Sequence, residues 1–427
     1  MKRWPDILGM NARNHQYIRH NTKKGRQIAD SKLDTKKILT KHNLPTPELI
    51  KVFENNDDLN NFSWVGLPDN FVLKPSSGFG GEGILVIRKK SRFAGEWELM
   101  NGEIIGVSDL KFHAQEILSG RYSLHNAPDQ AFIEERVKII KVFGKYVKGG
   151  TPDIRVIIFN KVPVMAMLRL PTEESDGKAN LHQGAVGLGI DLATGVTTYG
   201  IHHGRSIKYL PGTRIKVNGL RVPSWEQILL NSVRTQEAIP SLGYLGIDFL
   251  IDRNKGPLIV ELNARPGLSI QVANQAGLQK RLERVERLEI RNPEHGVKIA
   301  KALFGASFAD KVNSKNEPKI ISLLEEIKIV AQDKTRIPVM AKVDTGADRS
   351  AIDEELAQRL GLLSKDNIIY QARYRSALGK HRRPIIALNY YLAGQKINSM
   401  VSVTDRSKLR TKFLIGKRDL LGFVIRP

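Results

Sequence analysis

Lys74-Pro75-Ser76-Ser77-Gly78-Phe79-Gly80-Gly81-Glu82-Gly83 runs straight into Ile84-Leu85-Val86-Ile87. The glycines at 78, 80 and 83 have the spacing of a dinucleotide fingerprint, which needs a helix directly after them so that the pyrophosphate meets a helix N-terminus. An apolar, β-branched run follows instead, so the segment reads as a glycine-rich hairpin joining strands at 71–74 and 84–87. No glycine loop leads into Gly-Lys-Ser/Thr, so a P-loop is excluded as well. Backbone N–H groups at such a hairpin can fold over phosphates, with Lys74 as a point charge for them. A flexible tip with a solvated lysine is the alternative reading.

Outward from the hairpin, apolar positions among lysines predict a short amphipathic helix over 28–41, ended by Pro45 and Pro47. Residues 92–130 read as mixed and partly helical. Strands are expected at 131–140, 154–159, 162–168, 247–251 and 258–262, with helices over 225–239 and 279–303. The polar stretch 306–318, closed by Pro318, reads as a linker. Beyond it, short strands at 319–329, 339–343, 368–374, 385–392 and 396–404 predict a small β-rich domain. The fold class expected is α+β, with domains at 1–305 and 319–427.

The chain has 427 residues, enough for two or three domains, and no cysteine. Disulfides, thiolate zinc sites, iron–sulfur clusters and cysteine nucleophiles are excluded together, and any metal must be held by oxygen or imidazole. With 67 Lys plus Arg against 44 Asp plus Glu, the net charge is +23. Such a field attracts polyanions without naming one. The charge is spread rather than blocked and matches no DNA-binding motif, so a solvated basic surface is the plainer reading and nucleic-acid binding the alternative. No apolar run has signal-peptide or membrane-spanning length, so the expectation is a cytoplasmic protein.

Far downstream of the hairpin, Asp248 lies in one expected strand, and Glu261 and Asn263 lie two apart in the next. Residues two apart on a strand share a face, so three oxygen ligands can converge there. Hard oxygens suit magnesium, with manganese as an alternative ion. An acid pair at a strand edge is the competing reading.

Lys74 with its glycine hairpin, Phe132-Ile133-Glu134-Glu135-Arg136-Val137, Asp153-Ile154-Arg155, Arg169, Asn180-Leu181-His182, Asp248, and Glu261-Leu262-Asn263-Ala264-Arg265-Pro266-Gly267 follow one another in this order. The order resembles that of ATP-grasp ligases, nearest the RimK-like, α-L-glutamate-ligase-related branch, over roughly residues 1–300. The resemblance implies ATP and magnesium as cofactors. It implies that Lys32 and Lys74 hold phosphates with Gly78, Gly80 and Gly81, Lys36 and Lys37 being alternatives to Lys32. By the same resemblance Glu134, Glu135, Arg136 and Val137 form the hinge against adenine and ribose. Asp153, Arg155, Lys178 and Asn180 line the nucleotide and acyl-phosphate region, and Asp248, Glu261 and Asn263 hold the ion.

The implied chemistry turns a carboxylate, a poor electrophile, into an acyl phosphate that an amine then displaces. Phosphoryl transfer between anions needs charge neutralisation more than covalent help. Arg155, Arg169 and Arg265 are the candidates for gripping the acid or phosphoryl group as bidentate forks, with surface salt bridges as the alternative. His182 is a candidate substrate contact, whereas His202 and His203 read as surface residues. The partners expected are a carboxylate substrate and an amine or peptide acceptor, acidic in character.

After the linker, Val343-Asp344-Thr345-Gly346-Ala347 is followed by Ser350-Ala351-Ile352 and, much later, by Phe413-Leu414-Ile415-Gly416. This is similar to one lobe of an aspartic peptidase, and 319–427 resembles the bacterial retropepsin-like (acid protease) domains found beside RimK-like ligases. One lobe carries one catalytic acid, Asp344, and two must share a proton, so activity implies a homodimer. A lobe used only for binding or assembly is the alternative, because the expected flap near 376–383 is basic rather than glycine-rich. Related domains carry the label of ATP-dependent zinc protease (RimB-type), yet no His-Glu-x-x-His and no cysteine supply a zinc site here.

Overall fold

The structure is a computed structural model describing residues 7–78, 80–123, 126–147, 149–305, 319–376, 379–420 and 423–426. The expected linker at 306–318 and part of the expected flap lie outside the described residues. The chain forms two compact units, Met1–Val297 and Lys298–Pro427. Among the described residues no helix is long and apolar enough to cross a membrane.

The first unit holds two antiparallel sheets. One has six strands in the spatial order Leu49–Phe53, Ala131–Glu135, Phe71–Pro75, Leu85–Lys90, Glu96–Leu99 and Ile104–Gly106. Helix Val107–Leu118 contributes Leu110, Ala114 and Ile117 to its core, against Phe71, Leu73, Trp97 and Ile133. The other has seven strands, ordered Arg205–Ile207, Thr197–His202, Val186–Ile190, Val162–Leu170, Asp153–Phe159, Tyr244–Asp252 and Gly256–Asn263. The expected hairpin is present: Val72 pairs with Val86 and Leu73 with Leu85.

Three expectations need revision. The helix expected over 28–41 is two helices, Lys23–Asp30 and Lys32–Lys41. Ser31 is extended between them, and its Oγ accepts the Asp34 N–H at 3.1 Å, so a side-chain cap starts a new helix where apolar periodicity alone would continue the old one. The break is held by Lys32 N donating to Ser76 O at 2.9 Å, which sets the second helix beside the glycine loop. The strand expected over 131–140 stops at Glu135, because the chain crosses to the other sheet: Lys138 N donates to Asp252 Oδ2 at 2.7 Å and Ile139 bridges Asp252. The helix expected over 279–303 is also two, Gln279–Val285 and Pro293–Phe304.

The second unit is a β-barrel. Its strands run in the order Leu324–Val330, Arg336–Asp344, Phe413–Gly416, Ala351–Asp353, Gln395–Thr404, Gly379–Leu392 and Ile368–Ser376. Leu324–Val330 also pairs with Gly379–Leu392 through Lys328 with Tyr391 and Ile329 with Tyr390, which closes the ring. Ile327, Val343, Ile352, Tyr390, Val401, Phe413 and Ile415 fill it. Lys319–Ser322 and Phe423–Arg426 pair in parallel as a separate ribbon.

Candidate functional site

Register in the seven-stranded sheet fixes the centre of the site. Asp248 stands opposite Arg155 on one side and opposite Glu261 on the other, while Asp153 stands opposite Arg169. Alternation along each strand puts these side chains on one face. Arg155 donates from Nε to Asp248 Oδ1 at 2.7 Å and from Nη2 to Oδ2 at 2.6 Å. Arg169 grips Asp153 with two bonds of 2.5 Å and reaches Asp248 Oδ2 at 2.7 Å. Asn263 Nδ2 adds a contact to Asp248 Oδ2 at 3.4 Å.

Two of the three forks expected to grip substrate, Arg155 and Arg169, thus hold internal carboxylates, because direct cross-strand pairing brings them to acids. Asp248 is 2% exposed. Burial works against its ionised form, but the Arg155 and Arg169 guanidiniums outweigh it and hold its carboxyl below the usual range. Asp153 goes the other way. Burial, assisted by the Asp248 charge, lifts it to about 7 against the pull of Arg169.

That displacement gives a pH prediction. An unfolded aspartate releases its proton near 3.8, whereas the folded one keeps it to about 7. Between about pH 4 and 7 the folded state thus binds a proton that the unfolded state lacks, and stability falls as pH rises. Asp153→Asn should flatten that part of a urea-denaturation curve taken against pH. A slope identical to that of the wild type would mean that Arg169 keeps Asp153 ionised throughout.

A second cluster lies at the glycine hairpin. Gly80, Gly81 and Gly83 have φ of 68°, 82° and 70°, a left-handed turn that other residues adopt at a cost. A Cβ on Gly81 would lie 3.9 Å from the Lys178 side chain, so the loop and Lys178 are neighbours. Lys32 Nζ donates to Gly78 O at 2.7 Å and stands 3.6 Å from Glu261. Of the three lysines weighed at this helix, Lys32 thus joins the loop to the acidic strand. Lys36 pairs with Glu134 at 2.8 Å, and Lys37 pairs with Asp34 on the surface. Glu134 also holds Lys74, whose ammonium lies 5.2 Å from the Phe132 ring centre.

The remaining expected residues are more scattered. Glu135 is bound by Lys255 at 2.5 Å, Arg136 donates to Arg88 O at 3.2 Å, and Val137 is buried. Asn180 Oδ1 accepts the His182 N–H at 3.0 Å. Arg265 stands 3.6 Å from Asp30, with both side chains about half exposed. His202 and His203, expected as plain surface residues, share Glu174: His203 Nε2 and a Glu174 oxygen are 2.9 Å apart. The residues sequence reasoning missed include Asn21, which is buried and donates to Tyr244 O at 2.7 Å and Ala264 O at 2.9 Å. Its only sequence signal is its place before the Thr22 cap.

Glu261 and Asn263 fit a hard cation. Glu261 has a side chain 38% exposed, and among the described residues Lys32 is its ion-pair partner. Asn263 Oδ1 accepts from no group among the described residues, whereas both Asp248 oxygens already accept from guanidiniums. A half-open carboxylate and a free amide oxygen on one face are what a cation that keeps several waters requires.

The family model for sugar-transfer associated ATP-grasp proteins matches residues 12–287, a span containing both clusters. The chain belongs to that ATP-grasp family. ATP-grasp ligases use ATP with a divalent metal, and the mixed α and β architecture of the first unit is theirs. Among solved structures, this ATP-grasp protein is similar to D-cycloserine synthetase, at 11% identity over 63% of this chain and 73% of that one, with a TM-score of 0.38. It is similar to D-alanine–D-alanine ligase from Bacillus anthracis at 16% identity over 64% and 66%, with a TM-score of 0.31. A Legionella pneumophila protein of unknown function is 18% identical over 26% of this chain and 93% of its own, with a TM-score of 0.18. No curated protein matches the chain.

In the C-terminal unit, Asp344 ends a barrel strand beside Gly416. Its Oδ1 accepts the Gly346 and Ala347 N–H groups at 2.9 and 3.2 Å. A Cβ on Gly416 would lie 2.4 Å from the Arg349 carbonyl carbon, so this close approach requires glycine. Beneath it, Asp419 accepts from Ser350 at 2.5 Å and from Tyr390 and Ser399 at 2.9 Å.

Proposed function

We propose that the first unit is an ATP- and magnesium-dependent carboxylate–amine ligase of the RimK-like branch, working through an acyl phosphate. One observation carries the reading: Lys32 touches both the glycine loop, at Gly78, and the acidic strand, at Glu261. Phosphate ligands and cation ligands are thereby within one side chain of each other. Lys32, Lys74 and Lys178 offset the charge of the phosphates, while the positive-φ glycines let backbone N–H groups approach them. Glu261 and Asn263 would hold the cation, which supplies further charge neutralisation at the phosphates.

A carboxylate oxygen attacks the γ-phosphorus and ADP leaves. An amine then attacks the acyl carbon, expels phosphate and gives up a proton, leaving an amide. The acid and the amine are taken to be an acidic carboxylate and an amine or peptide acceptor, in keeping with the basic surface.

The test offers ATP, magnesium and a panel of carboxylic acids with hydroxylamine as the amine. A hydroxamate that requires both ATP and a carboxylate is expected. ATP hydrolysis without hydroxamate across the panel would overturn the ligase reading.

For residues 319–427, within the second unit, we propose a retropepsin-like lobe. Asp344 in its Asp-Thr-Gly turn beside Gly416 supports it. Peptidase activity would need a second copy to bring a second Asp344, since one lobe offers one such carboxyl. Asp344→Asn is expected to leave hydroxamate formation unchanged.

A further inference from the structure

Glu174, His202 and His203 meet outside the two clusters built above, and one donor atom of each lies within 4.8 Å of the other two. Consecutive residues of a strand ordinarily face opposite sides of its sheet. Here the two imidazole rings lie 4.1 Å apart, because strand Thr197–His202 ends at the first and the second opens a two-residue turn, with φ of 48° at His203 and 71° at Gly204. His203 Nε2 is 2.9 Å from a Glu174 oxygen, and His202 Nε2 is 3.6 Å from the same carboxylate.

The chain carries 67 Lys plus Arg, yet among the described residues the ion-pair partners of Glu174 are these two imidazoles and no lysine or arginine. The carboxyl is seated against Gly184, where a Cβ would lie 2.9 Å from the Glu174 Cδ, so glycine is what leaves room for it. An ion holding four ligands tetrahedrally at about 2.0–2.1 Å sets neighbouring ligand atoms about 3.3 Å apart, and the two nitrogen–oxygen separations here fall on either side of that value. His202 Nε2 donates to Gly184 O at 3.0 Å. With the ring proton on Nδ1 instead, Nε2 is free to ligate, and Gly184 O keeps the Thr172 hydroxyl, which donates to it at 2.9 Å.

We infer that Glu174, His202 and His203 form a site for a divalent ion of the zinc class, with water in the remaining position. Imidazole nitrogens suit such an ion, whereas magnesium prefers a shell of oxygens. The site shares no residue with the Glu261 and Asn263 pair and stands independently of the ligase reading. Glu174 belongs to the segment between strands Val162–Leu170 and Val186–Ile190, which also carries Lys178 and Asn180. The histidines belong to the hairpin of Thr197–His202 with Arg205–Ile207. A bound ion therefore ties the Lys178 segment to the sheet.

Isothermal titration of the full chain, free of any histidine tag, with Zn2+ in an excess of Mg2+ should give one zinc ion per chain. His203→Asn suits the left-handed turn and so keeps the fold. It should weaken zinc binding by more than about tenfold, since even an outer partner of a metal ligand is worth that much, and Glu174→Gln should do the same. Amide hydrogen exchange across 171–185 should slow when Zn2+ is added to the wild type and stay unchanged in His203→Asn. No zinc uptake, or uptake that neither variant alters, overturns the site. Zinc binding seen only when Mg2+ is left out overturns the choice of ion. Zinc binding lost in both variants, with exchange across 171–185 unmoved in the wild type, overturns the tie to the Lys178 segment.

Discussion

Asp248→Ala should cost the N-terminal unit about 3–5 kcal/mol, seen as a lower urea midpoint. The expectation follows from what the carboxylate leaves behind. Arg155 and Arg169 have side chains only 12% and 11% exposed, and Asp248 accepts from both. Its removal strands one buried guanidinium without its main partner and leaves the other sharing Asp153 alone. Such orphaned charges cost more than the net worth of the pair they came from. Asp248→Asn keeps an acceptor and should cost less. A midpoint shift worth less than about 1 kcal/mol for the alanine variant would show that water reaches the two guanidiniums freely, and the description of a closed charge network would fail.

Glu261→Gln should lower the rate of hydroxamate formation about 10²- to 10³-fold, a loss comparable to removing one preorganised electrostatic contact in other active sites. The substitution keeps the shape and one oxygen but removes the charge that would hold a cation. Its contact with Lys32 is a long one of 3.6 Å from a carboxylate that is 38% exposed, worth about 0–1 kcal/mol, so stability should scarcely change. This separates it from Lys74→Ala, which also leaves buried Glu134 short of a partner. An unchanged rate with Glu261→Gln would remove the acidic strand from the chemistry.

The sequence makes some of this visible and hides the rest for physical reasons. The Asp248–Glu261 apposition is legible because two short apolar strands in succession pair as neighbours, and alternation then assigns the faces. The Asp153–Arg169 and Arg155–Asp248 pairs are not, because they depend on register. For Asp153–Arg169 the register is set by a turn in which Asn160 and Lys161 both take positive φ and by a shift between Ile157 and Ile158, whereas Arg155–Asp248 depends on the pairing of two strands far apart in the chain. The break at Ser31 is hidden by apolar positions that continue across it.

Strands Val186–Ile190 and Thr197–His202 escape notice because glycines interrupt their apolar pattern. A Cβ on Gly189 would lie 2.5 Å from Ala273 O, so close seating of helix Ser269–Asn274 demands the residue that weakens the strand signal. The cavity lined by Arg13, Arg19, Arg26 and Arg265 is legible only in part: the first three fall in one short stretch, whereas Arg265 lies more than two hundred residues downstream and is joined to them by the bonds of Asn21 and Arg13 to the loop after Asn263.

The closure of the C-terminal sheet through Lys328 and Ile329 has a bearing on how copies of the protein behave when crowded together. The closure leaves one end strand of this sheet outside the ring, Ile368–Ser376, which among the described residues pairs with Gly379–Leu392 alone, so that strand is the sheet edge at which another copy's backbone could be added.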